Sequence, residues 1–575
     1  MKLFKQLLVA PAALGLLAPV AAGATEVNVA GVADYASSSS GNSLEQVTSI
    51  TQFSDVYPTD WAYQALSNLI ERYGCVAGYP NGTYRGNRAM TRFEAAALLN
   101  ACLDRVTEVT DELKRLMIEF EKELAILKGR VDGLEARVGE LEATQFSTTT
   151  KLKGKTTFVI GGTSAGGYST DASFNKKGRG GADAYNSEFG AVTFNYDQRL
   201  VLDTSFTGKD RLRTRLRAGN FKKKANAFGG AGVNLAALDV ATDSGVVDSD
   251  QSNNVIIDRL FYKFPVGNEF TVIAGALARN TESLAMWPSV YNKGGAKILD
   301  WTALMGTSGV YNKETGQLIG AYWKQDVDKG DAGFSVSVNY VADDKNGNIS
   351  NPNKGGFMTD NSEASFLAQL GYGGPQWGIA LGYRYGQCDS GNGLRRGTEF
   401  SKNNKWNNDC TYNTGDLDAD GDAIFDRQAS STNSFALNAY WQPEEAGFIP
   451  SVSLGWAYNT VNADNLVDGS PVDTQSWMVG LKWDDVFLKG NDMGFAVGQP
   501  TFATSLEDGG TPFDGNYVFE WYYNFQVTDN IAITPAVFYL SRPMGQYTSN
   551  LVEDGDNYDG QFNVFGALVQ TTFKF

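Results

Sequence analysis

The chain has 575 residues with 64 Gly and 12% aromatic residues, a composition that favours twisted strands and tight turns over packed helices. Its formal charge is -17, with 48 Lys and Arg against 65 Asp and Glu, which argues against nucleic acid as a partner. The sequence contains no histidine, which removes histidine-based catalysis and histidine-ligated metals, so we expect no enzymatic activity.

Residues 1–24 have the features of an export signal. Lys2 and Lys5 precede an apolar run that contains two prolines and ends in a small-x-small site at Ala24. This pattern predicts a signal peptide that is cut after Ala24; a retained membrane helix is the weaker alternative because proline interrupts the run. No later run is long and apolar enough for a membrane helix, so a mature chain within a membrane must form a closed barrel.

Residues 25–50 are polar and rich in serine, which predicts a flexible lead, and residues 51–103 form a different zone. In this zone Asp60 is the predicted cap of a first helix, and apolar residues at helical spacing follow it. The sequence GYPNG then makes a turn. A second helix is predicted to start near Thr91, with Glu94 completing a capping box. The zone is a helix-turn-helix module that is too small to bury much surface alone.

This zone resembles a surface-layer homology (SLH) module. The resemblance rests on FSDV at 53–56, Trp61, GYP at 78–80 and TRFE at 91–94. Modules of that family hold peptidoglycan-linked cell-wall polysaccharide, and the arginine of the TRFE-like motif grips an anionic sugar substituent. The resemblance therefore implies cell-wall binding by Asp55, Trp61, Gly78, Tyr79, Arg92 and Glu94. The alternative is that the charged TRFE residues only cap and pair at the helix start.

Residues 104–145 carry an unbroken heptad pattern. Apolar residues step by three and four along the segment, with Thr110 as the exception. The pattern runs from Leu103 to Leu141 and predicts a coiled-coil stalk that is roughly 58 Å long at about 1.5 Å per residue. Val109 and Leu116 widen the apolar seam, which favours three strands and hence a homotrimer. A lone amphipathic helix is the alternative, but it does not explain so narrow a stripe.

Residues 150–575 contain stretches in which aromatic or aliphatic residues alternate with glycine, charged or amide residues, as in WGIALGYRYG at 377–386. Such alternation is typical of strands that face lipid on one side and water on the other. Sixteen candidate strands begin near residues 152, 191, 211, 255, 269, 316, 332, 364, 377, 432, 449, 474, 494, 516, 531 and 562.

The connections between these candidate strands alternate in length. Long connections follow the first, third, fifth, seventh and ninth strands, whereas those after even-numbered strands are generally short. The chain ends at Phe575 in an alternating strand, which resembles the assembly signal of bacterial outer-membrane barrels. The expected fold is mainly β, a 16-stranded antiparallel transmembrane β-barrel preceded by a small α-helical SLH module and a coiled coil.

The third candidate strand, DRLRTRLRAG at 210–219, has arginine at every second position. On the lipid face each arginine would cost about 2–4 kcal/mol near the midplane, so we expect all four to face a water-filled lumen. The residues predicted to line the pore are Arg211, Arg213, Arg215, Arg217 and Arg384. A basic lumen wall attracts anions. The alternative is a solvated strand face without selectivity.

The long connection at 279–315, after the fifth strand, resembles the loop that folds inward and constricts porins. It carries Glu282, Asp300 and Glu314, which we expect to oppose the arginines.

A second motif lies in DLDADGDAIFD at 416–426. It matches the beginning of a calcium loop, with predicted ligands Asp416, Asp418, Asp420 and Asp422. Arg427 replaces the expected twelfth-position glutamate, so an ordinary acidic surface loop is an equal alternative. No cofactor other than this external calcium ion is expected.

The four cysteines fall into two neighbourhoods, Cys75 with Cys102 and Cys388 with Cys410. After export each pair can form a disulfide, with four free thiols as the alternative.

The order of signal peptide, single SLH module, coiled coil and barrel resembles the cyanobacterial outer-membrane porins, which are related to carbohydrate-selective porins and often labelled iron-uptake porins. The resemblance implies a trimeric channel in outer-membrane lipid, with the SLH module and stalk in the periplasm bound to peptidoglycan-linked polysaccharide. It also implies passive diffusion of small solutes and inorganic ions, with iron as a candidate. A sugar-selective channel and a mainly structural tether are the alternatives.

Overall fold

The computed structural model describes residues 49–60, six positions between 63 and 84, and residues 149–575 with gaps. The gaps are 168–180, 243–252, 292–295, 353, 389–392, 403–410, 418–422, 428–429, 464–465, 467 and 552–560. The chain divides into two units, Met1–Thr144 and Gln145–Phe575. The predicted signal peptide, flexible lead up to residue 48, coiled coil and first cysteine pair lie outside the described residues.

The described part of the N-terminal unit contains a short 3-10 helix, Ile50–Gln52. A small apolar core is formed by Ile50, Phe53, Leu66 and Ile70. The carboxylate of Asp55 accepts a hydrogen bond of 2.6 Å from the backbone N–H of Tyr84, which ties together two segments that are distant in sequence. Asp55 thus supports the fold, and its contact with polysaccharide stays a prediction. Outside the described residues lie Trp61, Gly78, Tyr79, Arg92 and Glu94.

The C-terminal unit is a closed antiparallel barrel of sixteen strands. Its strands are β1 (Thr150–Gly167), β2 (Thr193–Thr204), β3 (Arg211–Gly219), β4 (Ile256–Val266), β5 (Phe270–Arg279), β6 (Thr315–Lys324), β7 (Gly333–Asp343), β8 (Ser365–Gly373), β9 (Trp377–Gln387), β12 (Ser430–Trp441), β13 (Ser451–Ala463), β14 (Pro471–Asp484), β15 (Asp492–Leu506), β16 (Tyr517–Thr528), β17 (Ile531–Ser541) and β18 (Phe562–Lys574). A separate hairpin consists of β10 (Thr411–Leu417) and β11 (Ala423–Arg427). The predicted strand number is confirmed, and each predicted start lies within three residues of the observed one.

Helices occur only in connections within the described part of this unit. The α-helices are α1 (Gly181–Phe189) and α2 (Asp300–Ala303), and the 3-10 helices are Ala227–Gly229, Asn234–Ala236, Asn280–Ser283 and Gly545–Leu551. Among the residues described, no helix is sufficiently long and apolar to cross a membrane.

The two faces of each strand meet different surroundings. In β16, Tyr517, Phe519 and Trp521 are exposed on the outer surface, whereas the alternating Val518 and Glu520 are buried inside. Half-buried and exposed aromatic residues also pair towards the two rims, as in Tyr262 with Phe264, Tyr372 with Trp377, and Tyr340 with Phe357. An apolar band between two aromatic girdles is the outer surface of an outer-membrane barrel.

Connection length alternates as predicted. The connections after β1, β3, β5, β7 and β9 are long, whereas β2, β4 and β16 are followed by short turns. Long connections therefore gather at one end of the barrel and the short turns at the other. The lumen also has its own apolar packing, because Phe221 and Phe228 of the β3–β4 connection form one buried cluster with Phe538 and Phe562 of the barrel wall.

The barrel closes where β1 pairs with β18. Gly161 has no side chain at this seam, and a Cβ built there would lie 2.3 Å from the carbonyl oxygen of Ala567 and 2.7 Å from Cα of Leu568. Both distances are well inside ordinary van der Waals contact, and both neighbours are backbone atoms that cannot rotate away.

We therefore expect Gly161→Ala to weaken closure and to reduce severalfold the yield of folded, heat-modifiable barrel on semi-native gels. Gly166→Ala on the same strand is the matched control, because no heavy atom lies within 4 Å of its added Cβ. Equal yields for the two variants would contradict this explanation of the seam.

Candidate pore

The four alternating arginines of β3 lie on the inward side and are partly matched by acids of the neighbouring strands. Arg213 makes two hydrogen bonds of 2.8 Å to the carboxylate of Asp203 on β2. Arg217 donates at 2.5 Å to Asp197, which is fully buried, and also donates to the carbonyl of Val240 in the connection that packs inside the barrel. These partners place Arg211, Arg213, Arg215 and Arg217, which we call the arginine ladder, against the lumen and not against lipid.

A β-bulge supplies one further acid. Between β3 and β4 the register pairs Arg215 with Arg259 and Leu216 with Ile257, so Asp258 is an extra residue. A bulge re-aims the side chains around it. Here Asp258 accepts hydrogen bonds from Arg215 at 2.6 Å and from Arg259 at 3.1 Å, so one carboxylate lies between two guanidinium groups.

The strand register also creates a row of cations that runs across the strands. Lys155 of β1 is directly opposite Lys574 of β18 on one side and Arg199 of β2 on the other, and Arg199 is opposite Arg217 of β3. Like charges that are directly opposite each other destabilise a sheet. Sequence reasoning found the ladder along β3 but not this row, because no local signal shows which residues of different strands become neighbours.

The connection between β5 and β6 folds into the barrel, as expected. The backbone N–H groups of Val290 and Tyr291 each donate at 3.0 Å to the hydroxyl of Ser453 on β13. The buried carboxylate of Glu520 on β16 accepts three hydrogen bonds from the same connection, from Tyr291 Oη, Leu299 N and Thr302 Oγ1 at 2.8, 2.7 and 2.9 Å. Glu520 thus fixes the inward connection to the opposite wall.

Of the three acids expected opposite the ladder, Glu282 alone comes near it. Its carboxylate lies 3.5 Å from Nε of Arg259, the β4 residue that pairs with Arg215 in the register. Glu314 is fully buried. Asp300 is bound instead by Lys313, Arg395 and Arg396 at 2.5, 2.8 and 2.7 Å. The expectation was therefore wrong for Asp300, because loop packing encloses it with cations from connections.

The same network fixes the charge of Asp300. Burial alone would raise the pKa of this carboxyl, but the charges of Arg395, Lys313 and Arg396 outweigh burial and hold the pKa well below its ordinary value. Burial lowers the pKa of Lys313 to about 8, although Asp239 and Asp300 oppose that shift. The carboxylate is therefore charged at neutral pH and holds two connections together inside the barrel.

Arg384 does not line open water. Its side chain is fully buried, with Nε donating to the carbonyl of Gly309 at 2.5 Å and Nη2 donating to that of Gly393 at 3.1 Å. The sequence correctly placed it on the inner face, but inward connections cover it. It therefore holds loops in place and does not contact solutes directly.

The other predicted sites are less fully described. Cys388 is disulfide-bonded, and its predicted partner Cys410 lies outside the described residues. Asp416 lies in β10, of which the backbone is described, and the remaining predicted calcium ligands, Asp418, Asp420 and Asp422, lie in a gap. In the described part of the chain no group of three or more acidic, Cys or His residues is placed to hold a metal. Calcium binding stays a prediction.

A closed sixteen-stranded barrel with aromatic girdles, a charged lumen and an inward connection defines an outer-membrane porin. Residues 108–575 match the family model described as carbohydrate-selective porin, OprB family, and residues 52–96 match the S-layer homology domain. The chain belongs to the OprB family of porins. It is a channel protein of the outer membrane, with its SLH module on the periplasmic side.

The chain is also similar to several known proteins. An uncharacterized protein of Nostoc sp. is 37% identical, with 94% of this chain and 88% of the relative covered. Outer membrane protein SlpA of Deinococcus radiodurans is 36% identical over 104 residues, which cover 16% of this chain and 9% of that protein. The high pH structure of Pseudomonas putida OprB is 13% identical and covers 76% of this chain and 96% of its own, with a TM-score of 0.44.

The contacts of Glu520 generate a test of the inward connection. In Glu520→Gln an amide NH2 replaces one acceptor oxygen, so at least one of three donors loses its partner. We expect a looser connection, seen in planar bilayers as larger and noisier single-channel currents.

Asp529→Asn, which removes a carboxylate from the turn between β16 and β17, is the control. Wild-type currents from Glu520→Gln would show that these hydrogen bonds do not position the connection.

Proposed function

We propose that this porin forms a water-filled channel for passive diffusion of small solutes and inorganic ions, with a preference for anions. The observation that carries this proposal is the cationic wall formed by the arginine ladder and the cation row that crosses it. The acids Asp197, Asp203, Asp258 and Glu282 match only part of this positive charge. Arg211 and Arg279 each have a buried guanidinium Nε without a hydrogen-bond partner.

Iron is a candidate cargo, and the charge of the wall bears on its chemical form. Cations that line the path repel free ferric or ferrous ions and attract anionic complexes. Iron would therefore pass as a negatively charged chelate.

A carbohydrate channel is the second candidate, because the family that the chain matches carries that description. Trp287 supports it, since this half-buried aromatic residue lies on the inward connection and offers a ring face beside Lys297, whose Nζ is 5.9 Å from the ring centre. Aromatic faces with nearby polar groups suit sugar rings, which present both apolar and hydroxyl surfaces.

We also propose that the SLH module holds peptidoglycan-linked polysaccharide, and that the predicted coiled coil joins three copies into a trimer. The match at residues 52–96 supports the first proposal, and the heptad pattern supports the second. A further candidate function is a mainly structural tether between outer membrane and cell wall, in which the barrel would conduct little.

Planar-bilayer recording separates these functions. We expect an open channel whose reversal potential in a salt gradient shows anion preference. Block by sugars would favour the carbohydrate channel. If folded protein gave no conductance, the structural tether would be the remaining candidate function.

The quadruple variant Arg211→Gln, Arg213→Gln, Arg215→Gln and Arg217→Gln tests the ladder. Removing four lumen cations leaves their acidic partners unmatched, so we expect reversal potentials to shift away from anion preference. Lys209→Gln, in the exposed turn before β3, is the control. Unchanged ion preference in the quadruple variant would contradict the role of the ladder.

Arg92→Ala tests the tether, since this residue corresponds to the arginine of the SLH motif. We expect a severalfold weaker sedimentation of the full chain with isolated peptidoglycan sacculi, because an anionic sugar substituent would lose its cationic partner. Arg88→Ala removes a nearby arginine outside the motif and is the control. Equal sedimentation of Arg92→Ala and wild type would show that Arg92 does not carry the contact.

A further inference from the structure

A polar cavity lies between the barrel wall and the inward connections. Its volume is about 510 Å³, including space that is open to solvent. Three lysines reach it from separate elements, Lys155 from β1, Lys574 from β18 and Lys297 from the connection after β5. Its other polar lining residues are Asn524, Gln526, Thr534, Gln570 and Thr572.

The charge of this cavity is unbalanced. No carboxylate is among its described lining residues, in contrast to the arginine ladder, where acids of β2 and β4 lie between the cations. Two acids lie beside the lining. Asp239, next to the lining Val240, is bound to Lys313 at 2.5 Å, and Asp492 accepts a hydrogen bond of 2.8 Å from the lining Asn524. The lysines therefore share a water-accessible space without a carboxylate in its lining.

The register makes this arrangement costly. Lys155 and Lys574 are directly opposite each other across the seam that closes the barrel, and like charges in that position destabilise a sheet. A bound solute of opposite charge would remove the repulsion. Amide and hydroxyl side chains on the same walls supply neutral donors for the oxygen atoms of such a solute.

We propose that this cavity, the lysine cavity, is a binding site for divalent oxyanions of the phosphate class. Ammonium groups are compact, strongly charged donors that suit phosphate oxygens, and three of them converge here. The inference deepens the proposed channel function and rests on it, because it assigns a specific solute site within that channel.

The test compares chloride currents in planar bilayers at about pH 7, where part of the phosphate is divalent, with and without inorganic phosphate at constant ionic strength. In the wild type we expect phosphate to reduce the chloride current as it occupies the cavity. In the triple variant Lys155→Gln, Lys297→Gln and Lys574→Gln we expect the inhibition constant to rise roughly tenfold or more.

The control variant Lys151→Gln, Lys324→Gln and Lys329→Gln makes the same change in net charge with exposed lysines that do not line the cavity. It should keep wild-type inhibition. The single variant Lys297→Gln leaves the barrel wall unaltered, so it keeps the test valid if the triple variant does not fold, and it should weaken inhibition severalfold.

The outcomes separate the two proposals. A wild-type protein without any current would overturn the proposed channel. A chloride current that phosphate does not reduce, or an equal loss of inhibition in the control variant, would overturn the lysine cavity alone.

Discussion

The structure depends on one constraint, that every backbone N–H and C=O group in hydrocarbon must have a hydrogen-bond partner within the protein. A closed antiparallel ladder meets it, and the pairing of β1 with β18 leaves no free edge. Since side chains of a strand alternate in direction, the same ladder separates an outer face for lipid from an inner face for water. The aromatic girdles and the charged lumen are two consequences of that single arrangement.

The lumen is shaped by connections as much as by strands. Glu520 and Ser453 hold the β5–β6 connection against the far wall, and Asp300 joins this connection to Arg395 and Arg396 of the connection after β9. These polar groups are buried together, where an unpaired charge would be costly, so each contact depends on the others. The passage is therefore bounded by a cross-linked inner layer, and its width depends on the integrity of that layer.

Charge inside the barrel is distributed unevenly. Acids of adjacent strands moderate the arginine ladder, as Asp203 does for Arg213, whereas the row through Lys155 and Arg199 is only partly matched. Under the proposed function, a solute that enters would meet a path that attracts anions, with fixed counter-charges between the cations. Under the proposed function, the barrel serves passage through the outer membrane and the SLH module serves attachment to the cell wall.

The sequence by itself determined the number of strands, the alternation of long and short connections, and the inward direction of the arginine ladder. These features follow from local patterns, since a period of two residues and the spacing of turns are visible along the chain. Only the tertiary structure decided the bulge at Asp258, the opposition of Lys155 and Lys574, the burial of Arg384 and the anchoring of the inward connection by Glu520. Each of these depends on pairing or packing between residues far apart in the chain, for which one sequence carries no local signal.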